Sequence, residues 1–384
     1  MSSARKFVLL GATGSIGEST LKVLRKHPDK LSLVGVSART QAAKLHSIVE
    51  EFDVSNAHLG TIPSDLTEFP KTTNLGHSLE DLEALASLPE ADLVVVAIVG
   101  SAGLRPTLAA LKAGKDVVLA NKESLVVGGS LITEAANLNG ARIIPADSEH
   151  NAIHQCLSGK KQDLDSIVLT ASGGPFRDFP LENLSKVTLE QTLRHPNWSM
   201  GPKVTIDSAT MANKGLELIE AHWLFGLPEE KMEVLIHPPS IVHGIVRFID
   251  GCCLAQLSPP SMTFALQNAL LFPERHQSVE ASLDFSKSLD LSFYPPCYDR
   301  YPCLKLARDC LSQSGSFPLA FNAANEVAVE AFRVNRIGFV QISNIIEDTL
   351  SQINAIRATS LDELLDLDKS IRSVAERCVE NQEG

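Results

Sequence analysis

KFVLLGATGSIG, residues 6–17, begins as a short apolar strand and turns through small residues into a helical stretch that ends before Pro28. Strand, glycine turn and helix in this order are typical of proteins that hold a pyrophosphate at a helix N-terminus, because small side chains let backbone N–H groups approach it. The spacing is G-x-x-G-x-x-G rather than G-x-G-x-x-G, so a tight turn without a ligand stays an alternative. The residues predicted to contact a dinucleotide here are Gly11, Thr13, Gly14, Ser15 and Ile16.

Apolar and helical segments alternate after this turn. The apolar runs DLVVVAIVG, KDVVLAN and ARIIPAD, at 92–100, 115–121 and 141–147, are separated by helical stretches such as residues 104–114. This alternation predicts an α/β fold with a Rossmann-like, doubly wound parallel sheet.

The later part of the chain changes pattern twice. It is mixed α/β at first and helical toward the end, with a stretch rich in Pro, Ser and Asp between the two. The predicted organisation is a dinucleotide-binding domain over 1–148, a central catalytic α/β domain over 149–273, a linker over 274–303 and a C-terminal helical bundle over 304–384.

Composition excludes several classes of protein. The chain has 384 residues, 44% of them hydrophobic, and a formal net charge of -12. This acidic balance argues against nucleic acid as a partner, because phosphates need a basic face. The longest wholly apolar run, Leu93–Val99, is far shorter than the roughly 18 residues that span a bilayer, so no membrane partner is expected. Seven cysteines without a C-x-x-C pair, and an N-terminus that runs directly into a strand, predict a cytoplasmic protein.

The end of the second predicted strand bears on the choice of cofactor. An acidic residue there holds the ribose 2′-hydroxyl of NAD, whereas an arginine accommodates the 2′-phosphate of NADP. This strand, LSLVGVS, runs into SART, which has an arginine and no acid. NADP is therefore favoured, although a single arginine is also common as a solvated surface charge. The predicted contacts are Ser37, Ala38, Arg39 and Thr40.

Two carboxylates, Asp147 and Glu149, lie where the last of these apolar runs ends. They are two positions apart at the carboxyl edge of the predicted sheet, where α/β proteins place ligands. Like charges this close repel unless a cation neutralises them, and oxygen ligands suit Mg²⁺ or Mn²⁺ better than zinc. The alternative is a helix cap, in which Asp147 or Ser148 simply starts the next helix.

A second polar set lies on a long helix predicted over 208–225. Asn213, Glu217 and Glu220 fall at i, i+4 and i+7, on one side of an otherwise apolar helix. Carboxylates on such a face need a partner, because burying an unpaired charge is prohibitive. They are candidates to complete the metal site. An exposed polar stripe is the alternative, above all for Glu220.

Several donors could bind a second phosphate, separate from that of the cofactor. TASGGPF, residues 170–176, places Ser172 beside two glycines, which suits backbone N–H groups turned toward an anion. Ser208, Asn213 and Lys214 add side-chain donors. Taken alone, Ser172 would fit a generic turn equally well.

Two further segments carry candidate residues. RHPNWSMGPK, residues 194–203, has no periodicity, and its His195, Trp198 and Met200 predict a lid that excludes water. A tryptophan packed into the core is the alternative. Lys122, in ANKES after an apolar strand, could orient a nicotinamide or a substrate oxygen.

Seven motifs occur in one order over residues 11–329: GATGSIG, ANKES, DSEHNAI, TASGGPF, HPNWSMG, DSATMANKGLELIEA and FNAANEVAV. The set strongly resembles the 1-deoxy-D-xylulose 5-phosphate reductoisomerase family, and the resemblance covers nearly the whole chain. It implies a homodimer whose chains have an N-terminal NADPH domain, a central catalytic domain and a C-terminal helical bundle.

The resemblance also implies roles for individual residues. The metal ligands would be Asp147, Glu149 and Glu217. The substrate would be bound by Ser148, Glu149, Ser172, His195, Trp198, Met200, Ser208, Asn213, Lys214 and Glu217. The cofactor would also be contacted by Asn121, Lys122 and Glu123, and the residues with a part in catalysis would be Lys122, Glu149 and His243.

The activity that the resemblance implies is the rearrangement and reduction of a sugar phosphate, 1-deoxy-D-xylulose 5-phosphate, to 2-C-methyl-D-erythritol 4-phosphate. NADPH would supply the hydride, and Mg²⁺ or Mn²⁺, with Co²⁺ as a further option, would be the metal. The sequence departs from the usual family pattern at Pro239, Gly244, Ser261, Thr263 and Ala265.

Two other functions compete with this one. An NADP-dependent semialdehyde dehydrogenase combines a similar glycine turn with a second domain, but it needs a nucleophilic cysteine, and Cys156 lies in a helical stretch without a glycine-rich elbow. A non-catalytic NADP-binding regulator would use the carboxylates only as helix caps. The carboxylate constellation argues against it.

Overall fold

The computed structural model describes residues 4–63, 69–157, 161–198 and 200–382. The described residues fall into two compact units. The first comprises Met1–Ser124, Ser130–Asn151 and Ser261–Ser282, and the second comprises Leu125–Gly129, Ala152–Pro260 and Leu283–Gly384. Within the four described ranges, no helix is long and apolar enough to cross a membrane.

A parallel sheet forms the centre of the first unit. Its strands are β1 (Arg5–Leu10), β2 (Leu31–Ala38), β3 (Asn56–Leu59), β4 (Asn74–Gly76), β5 (Leu93–Val96), β6 (Asp116–Leu119) and β7 (Ile143–Pro145). In the described part of the chain they pair in the order β4-β3-β2-β1-β5-β6-β7, and every neighbouring pair is parallel. The order runs one way from β1 to β4 and the other way from β5 to β7. The predicted doubly wound α/β sheet is therefore confirmed.

Helices alternate with these strands. They are α1 (Ser15–Lys26), α2 (Ala42–Phe52), α3 (Leu79–Ala86), α4 (Leu104–Lys112) and α5 (Lys122–Leu138). The whole of β5 is buried, as expected for a strand with both faces covered. Leu21 and Leu24 lie on the buried side of α1 and join the same core as Phe7 and Leu9. The apolar periodicity of the sequence thus fixes which side of α1 meets the sheet.

A smaller mixed sheet lies in the second unit. Its strands are β8 (Leu164–Ala171), β9 (Met232–Ile236), β10 (Val242–Phe248) and β11 (Cys253–Leu257). Among the described residues their order is β11-β10-β8-β9. The pairs β10/β11 and β8/β10 are antiparallel, and β8/β9 is parallel. β11 is an edge strand of this sheet.

The helix predicted over 208–225 is two helices. The helices of this region are α6 (Ser148–Leu157), α7 (Leu189–Thr192), α8 (Pro202–Thr210) and α9 (Ala212–Phe225). Met211, between α8 and α9, has a left-handed backbone with φ 61°. This conformation cannot continue an α-helix, so the prediction of one continuous helix was wrong.

The helix α10 (Met262–Leu271) belongs to the first unit, although its place in the sequence predicted that it would belong to the catalytic domain over 149–273. Its Leu266, Ala269 and Leu270 are buried in the core that contains α1. Ser261 caps the helix by accepting a hydrogen bond from the Thr263 N–H at 3.3 Å. The packing of these side chains therefore places α10 in the first unit, irrespective of its place in the sequence.

The last helices are α11 (Pro302–Gln313), α12 (Phe317–Arg333), α13 (Gln341–Ser351) and α14 (Leu361–Gln382), which agrees with the predicted helical C-terminal region. The Pro-, Ser- and Asp-rich segment before them bonds to the second sheet through a bridge from Tyr294 to Ile236. Arg300 donates to the Phe176 oxygen at 2.7 Å, which ties the end of that segment to the second unit.

Candidate active site

The glycine turn between β1 and α1 leaves no room for side chains. Gly11 has φ +89°, and a Cβ there would lie 2.5 Å from the Ala97 oxygen. A Cβ on Gly17 would lie 2.3 Å from the Ala12 oxygen, so a side chain would push α1 away from the turn. No side chain caps α1 at Gly14. The first-turn N–H groups and the positive end of the helix dipole are therefore suited to an anion.

The end of β2 supports this turn. Ser37 is buried, and its Oγ accepts a hydrogen bond from the Gly11 N–H at 3.1 Å. Ala38 is also buried, whereas the next two side chains, Arg39 and Thr40, are exposed. Ser37 therefore shapes the turn, and Arg39 is accessible to a ligand.

Lys44 is a cation at the turn that sequence reasoning missed. Its Nζ donates to the Thr13 oxygen at 2.9 Å and lies 2.6 Å from Glu18 Oε1. The lysine lies on α2, outside the glycine motif, and nothing in helical periodicity marks it as different from a surface lysine.

Asn121 organises the loop after β5. Its Nδ2 donates to the oxygens of Ile98 and Gly100 at 2.7 and 2.9 Å, and its Oδ1 accepts from the Ser124 N–H at 3.0 Å as the cap of α5. Nδ2 also lies 3.1 Å from Glu123 Oε2. The buried amide thus supports the sheet edge from inside, and the next residue is the partly exposed Lys122.

Lys122 and Asp147 form an ion pair at the carboxyl edge of the first sheet. Lys122 Nζ lies 2.6 Å from Asp147 Oδ2, and the two side chains are 13% and 16% exposed. They follow the neighbouring strands β6 and β7, which explains why residues 25 positions apart meet. Ser148 Oγ donates to Glu149 Oε2 at 2.5 Å. The described residues at this edge thus combine two carboxylates with one cation.

Asp147 stands immediately before the first residue of α6, Ser148. Its Oδ1 accepts a hydrogen bond from the Ser148 N–H at 3.0 Å. A helix-cap role and a metal-ligand role both stay predictions for this carboxylate.

In the second unit, His195 lies between two serines. Its Nε2 is 3.0 Å from Ser172 Oγ and 3.1 Å from Ser208 Oγ. Ser172 Oγ also accepts from the Gly174 N–H at 3.1 Å. The structure thus brings together three residues predicted to bind phosphate, from the end of β8, from the predicted lid and from α8.

The bonding of His195 fixes its tautomer. Nδ1 accepts from the backbone N–H groups of Asn197 and Trp198 at 3.2 and 2.9 Å, so the ring proton is on Nε2. Burial lowers the pKa of His195 to about 4, so the ring is neutral near pH 7. Nε2–H can donate to one serine, which leaves serine O–H groups able to donate to an anion.

The start of α9 carries a buried charge cluster. Lys214 Nζ donates to Glu217 Oε2, and Asn213 Nδ2 donates to Glu217 Oε1 at 2.5 Å. The side chains of Lys214 and Glu217 are 3% and 1% exposed. Glu220 is also buried, so the alternative of an exposed polar stripe was wrong.

Two residues near the start of the predicted lid, Asn197 and Trp198, are held by contacts to neighbouring segments. Besides the bonds to His195, Asn197 Nδ2 donates to the Pro238 oxygen at 2.7 Å and to Ser240 Oγ at 2.8 Å. Trp198 is half-buried and meets His243 edge to face, with 6.1 Å between ring centroids. Met200 is half-buried, and Ser199 lies outside the described residues. Trp198 is neither fully exposed nor packed into the core.

His243 is held by a backbone oxygen. Its Nε2 lies 3.2 Å from the Ser258 oxygen, which can only accept, so Nε2 carries the proton. Burial lowers the pKa of His243 to about 4, and the nearby Lys214 charge acts in the same direction. The ring is therefore neutral near pH 7.

Tyr301 supports the phosphate turn and was missed by sequence reasoning. Its hydroxyl donates to the Gly173 oxygen at 2.8 Å. Gly173 and Gly174 have φ +83° and +68°, a conformation that favours glycine. Arg177 Nη1 adds a bond to the Ser172 oxygen at 2.9 Å. The tyrosine lies 128 residues from the turn, so no local signal could have linked the two.

Three family models match consecutive parts of the chain. A 1-deoxy-D-xylulose 5-phosphate reductoisomerase model matches residues 7–129. The 1-deoxy-D-xylulose 5-phosphate reductoisomerase C-terminal domain matches residues 143–225, and a DXP reductoisomerase C-terminal domain matches residues 257–374. The chain belongs to the 1-deoxy-D-xylulose 5-phosphate reductoisomerase family.

Individual members of the family match over almost their full length. The chain is 46% identical over 377 residues to the 1-deoxy-D-xylulose 5-phosphate reductoisomerase of Chlorobium chlorochromatii (strain CaD3), covering 97% of this chain and 98% of the relative. It is 47% identical over 384 residues to that of Ralstonia pickettii (strain 12J), covering 97% of each. The family resemblance drawn from the seven motifs is therefore confirmed.

Solved structures of the family have the same fold. A DOX-P reductoisomerase crystallised with NADPH, fosmidomycin and magnesium matches with a TM-score of 0.90 and 38% identity, over 98% of each chain. The Zymomonas mobilis enzyme in complex with NADPH matches with a TM-score of 0.92 and 39% identity, over 98% of this chain and 100% of the other. Because family membership is shown, the semialdehyde dehydrogenase and the non-catalytic regulator are no longer needed to explain the sequence.

Proposed function

We propose that the chain catalyses the NADPH- and divalent-metal-dependent rearrangement and reduction of 1-deoxy-D-xylulose 5-phosphate to 2-C-methyl-D-erythritol 4-phosphate. The observation that carries this proposal is the second-unit cluster of Ser172, His195 and Ser208, with Lys214 and Glu217, in a chain of this family. Neutral and cationic donors beside buried carboxylates suit a phosphorylated polyol better than an apolar substrate.

The first unit would bind NADPH. The bare helix end at Gly14 and the tight backbone at Gly11 fit the pyrophosphate, and the exposed Arg39 suits the 2′-phosphate. Lys44, beside the Thr13 oxygen, adds a cation near the same turn. When bound, NADPH supplies the hydride for the reduction.

Asp147, Glu149 and Glu217 would hold the metal, which we propose to be Mg²⁺ or Mn²⁺, with Co²⁺ as a further option. All three offer carboxylate oxygens, the ligand type that hard divalent cations prefer. The bound metal supplies Lewis-acid stabilisation of charge on the substrate oxygens. Lys122 would then lose its carboxylate partner to the metal and orient a substrate or nicotinamide oxygen.

The substrate phosphate would lie among Ser172, His195, Ser208, Asn213 and Lys214. Serine hydroxyls, the asparagine amide and the ammonium of Lys214 are donors, and a phosphate group provides the acceptors for all of them. Ser148 and Glu149 would face the sugar hydroxyls. Binding of the remote phosphate can then stabilise closure of the lid over the reacting carbons.

Trp198 and Met200 would cover the substrate as part of that lid and exclude water. His243, neutral and held by the Ser258 oxygen, packs against Trp198 and suits the placement of the indole. A role of His243 in catalysis stays a prediction. It would rest on the lone pair of Nδ1, since Nε2–H is engaged.

We also propose that the enzyme is a cytoplasmic homodimer. The edge strand β11 exposes Cys253, Leu254 and Ala255, and Leu254 is 51% exposed. An uncovered apolar edge strand is a natural surface for a second copy of the chain. The seven cysteines, none of them in a disulfide bond, fit a reducing compartment.

The test of the proposed activity is NADPH oxidation with 1-deoxy-D-xylulose 5-phosphate, with and without Mn²⁺, in wild type and Asp147→Asn. We expect metal-dependent turnover that the substitution abolishes or lowers by about a hundredfold or more. Turnover that is unchanged by Mn²⁺ and by Asp147→Asn would contradict the proposed metal site. An inactive wild type that still binds NADPH would overturn the proposed reaction.

A further inference from the structure

Two neighbouring residues of α8 bond in different directions. Ser208 Oγ lies 3.1 Å from His195 Nε2, in the candidate phosphate site. Asp207, one residue earlier, is 1% exposed. Successive side chains of a helix point about 100° apart, so the orientation of Asp207 sets the orientation of Ser208.

Asp207 is held by two side chains. Lys203 Nζ lies 2.8 Å from Asp207 Oδ2, and Asn325 Nδ2 donates to Asp207 Oδ1 at 2.9 Å. Asn325 is fully buried on α12. A buried carboxylate is stable only when its oxygens are bonded, so both partners hold Asp207 in one position.

These partners connect three segments of the second unit. Lys203 is the last residue of the predicted lid over 194–203, and Asp207 precedes Ser208 on α8. Asn325 lies in FNAANEVAV, a motif that contributes no residue to the proposed reaction. The connection therefore runs from a C-terminal helix to the end of the lid and to one of the phosphate donors.

We propose that Asn325 is a positioning residue for phosphate binding, acting through Asp207 on Ser208 and on the Lys203 end of the lid. The proposal rests on the phosphate site put forward under the proposed function. Asn325 itself touches no substrate. The amide of Asn325 holds the Asp207 carboxylate in place. The carboxylate in turn sets the rotation of α8 about its axis and the position of Lys203. That rotation keeps the Ser208 hydroxyl within bonding distance of His195.

Asn322 provides a matched control on the same helix. It is also fully buried, and its Nδ2 donates to Glu326 Oε1 at 3.2 Å rather than to Asp207. Among the described residues, the Oδ1 atoms of both asparagines are buried without a hydrogen-bond partner. Asn325→Leu and Asn322→Leu therefore remove the same group from equivalent burial, but only the first releases Asp207.

The experiment is a titration of the full-length protein with inorganic phosphate, followed by the fluorescence of Trp198. The chain has two tryptophans, so Trp223→Phe is used as the common background. The backbone N–H of Trp198 donates to His195 Nδ1 and its ring meets His243 edge to face, so the indole is attached next to that site and can report on it. We expect Asn325→Leu to raise the phosphate Kd about tenfold, as for loss of a hydrogen bond to a charged group, and Asn322→Leu to change it less than about twofold.

A second pair of variants tests the same connection from the lid. Lys203→Met should raise the phosphate Kd in the same direction as Asn325→Leu, and Lys203→Arg, which keeps the cation, should restore it. In turnover, Asn325→Leu should raise KM for the phosphorylated substrate more than it lowers kcat. Lys203→Met carries the test if Asn325→Leu does not fold.

The outcomes separate the two proposals. A wild type that binds phosphate, together with an Asn325→Leu variant of unchanged Kd, overturns the positioning role and leaves the phosphate site intact. Equal losses in Asn325→Leu and Asn322→Leu also overturn it, because they indicate a general effect on α12. A wild type that binds no phosphate overturns the phosphate site itself.

Discussion

Each unit of the molecule pairs a lysine with a candidate functional carboxylate, but the two pairs differ in burial. Lys122 and Asp147 follow neighbouring strands, and their side chains are 13% and 16% exposed. Lys214 and Glu217 lie one helical turn apart and are 3% and 1% exposed. A partly exposed pair can exchange partners at lower cost, whereas a fully buried pair cannot lose one partner unless another charge replaces it. We therefore expect the cation for Glu217 and the anion for Lys214 to bind together.

The largest expected effect comes from breaking the buried pair. Lys214→Met leaves the Glu217 carboxylate buried without its cation, which should lower the free energy of unfolding by about 3–5 kcal/mol. The variant should also have a lower kcat and a higher KM, because Lys214 would touch the substrate phosphate. Urea denaturation and steady-state kinetics measure the two effects.

The control is the double variant Lys214→Met with Glu217→Gln. It should recover much of the stability while remaining inactive, since the uncompensated charge is gone but the ligands are not restored. A single variant as stable as wild type would contradict the comparison between the two pairs.

The next largest effect is expected from a substitution in the glycine turn of the first unit. Gly11→Ala should weaken NADPH binding and destabilise the unit by about 1–3 kcal/mol, because φ +89° and a Cβ 2.5 Å from the Ala97 oxygen both oppose a side chain. NADPH fluorescence titration and thermal unfolding check this. Gly140→Ala is the control, since Gly140 also has positive φ but its Cβ would meet nothing within 4 Å. Equal NADPH affinity in the two variants would argue against the turn as the cofactor site.

Breaking the partly exposed pair should cost less. Lys122→Met is expected to lower the free energy of unfolding by about 1–2 kcal/mol, less than Lys214→Met, because the Asp147 side chain is 16% exposed and its Oδ1 keeps the bond from the Ser148 N–H. Turnover should nevertheless fall, since the same lysine would orient a reacting oxygen. Urea denaturation beside Lys214→Met measures the contrast directly. A loss of stability as large as that of Lys214→Met would show that exposure does not distinguish the pairs.

The last prediction concerns pH and the histidines of the second unit. Burial lowers the pKa of both His195 and His243 from the ordinary 6.5 to about 4. Between these values the unfolded chain binds protons that the folded chain does not, so stability is full above pH 6.5 and is lost as the pH falls toward 4. His243→Asn should flatten this dependence when unfolding is measured at about pH 7.5 and about pH 5. An unchanged slope would contradict the burial argument.

The features that could be predicted from the sequence are those that depend on a local pattern of residues. The apolar run before Gly11 and the periodicity of Leu21 and Leu24 are enough to specify strand, turn and helix, and the alternation that follows specifies the parallel sheet. The Ser172, His195 and Ser208 group was predicted from donor chemistry and from motifs, and these residues do lie together.

What the sequence could not predict depends on distance or on a single backbone angle. Asn325 bonds to Asp207 across 118 residues, and Tyr301 bonds to Gly173 across 128, and neither pair has a spacing that helical or strand periodicity could detect. The helix α10 is apolar over most of its surface, so its sequence does not indicate which core it joins. The break at Met211 was missed because methionine is a good helix former and carries no turn signal.

That break at Met211 has a consequence for how the site can diverge among relatives. On a continuous helix, Ser208 and Asn213, five residues apart, would be fixed at about 140° from each other around one axis. With a left-handed residue between α8 and α9, each helix has its own axis, and a substitution that rolls one need not turn the other. The serine donor and the asparagine and lysine donors are thus separately adjustable modules, which gives evolution, or a protein engineer, two independent means of fitting the pocket to a different anion.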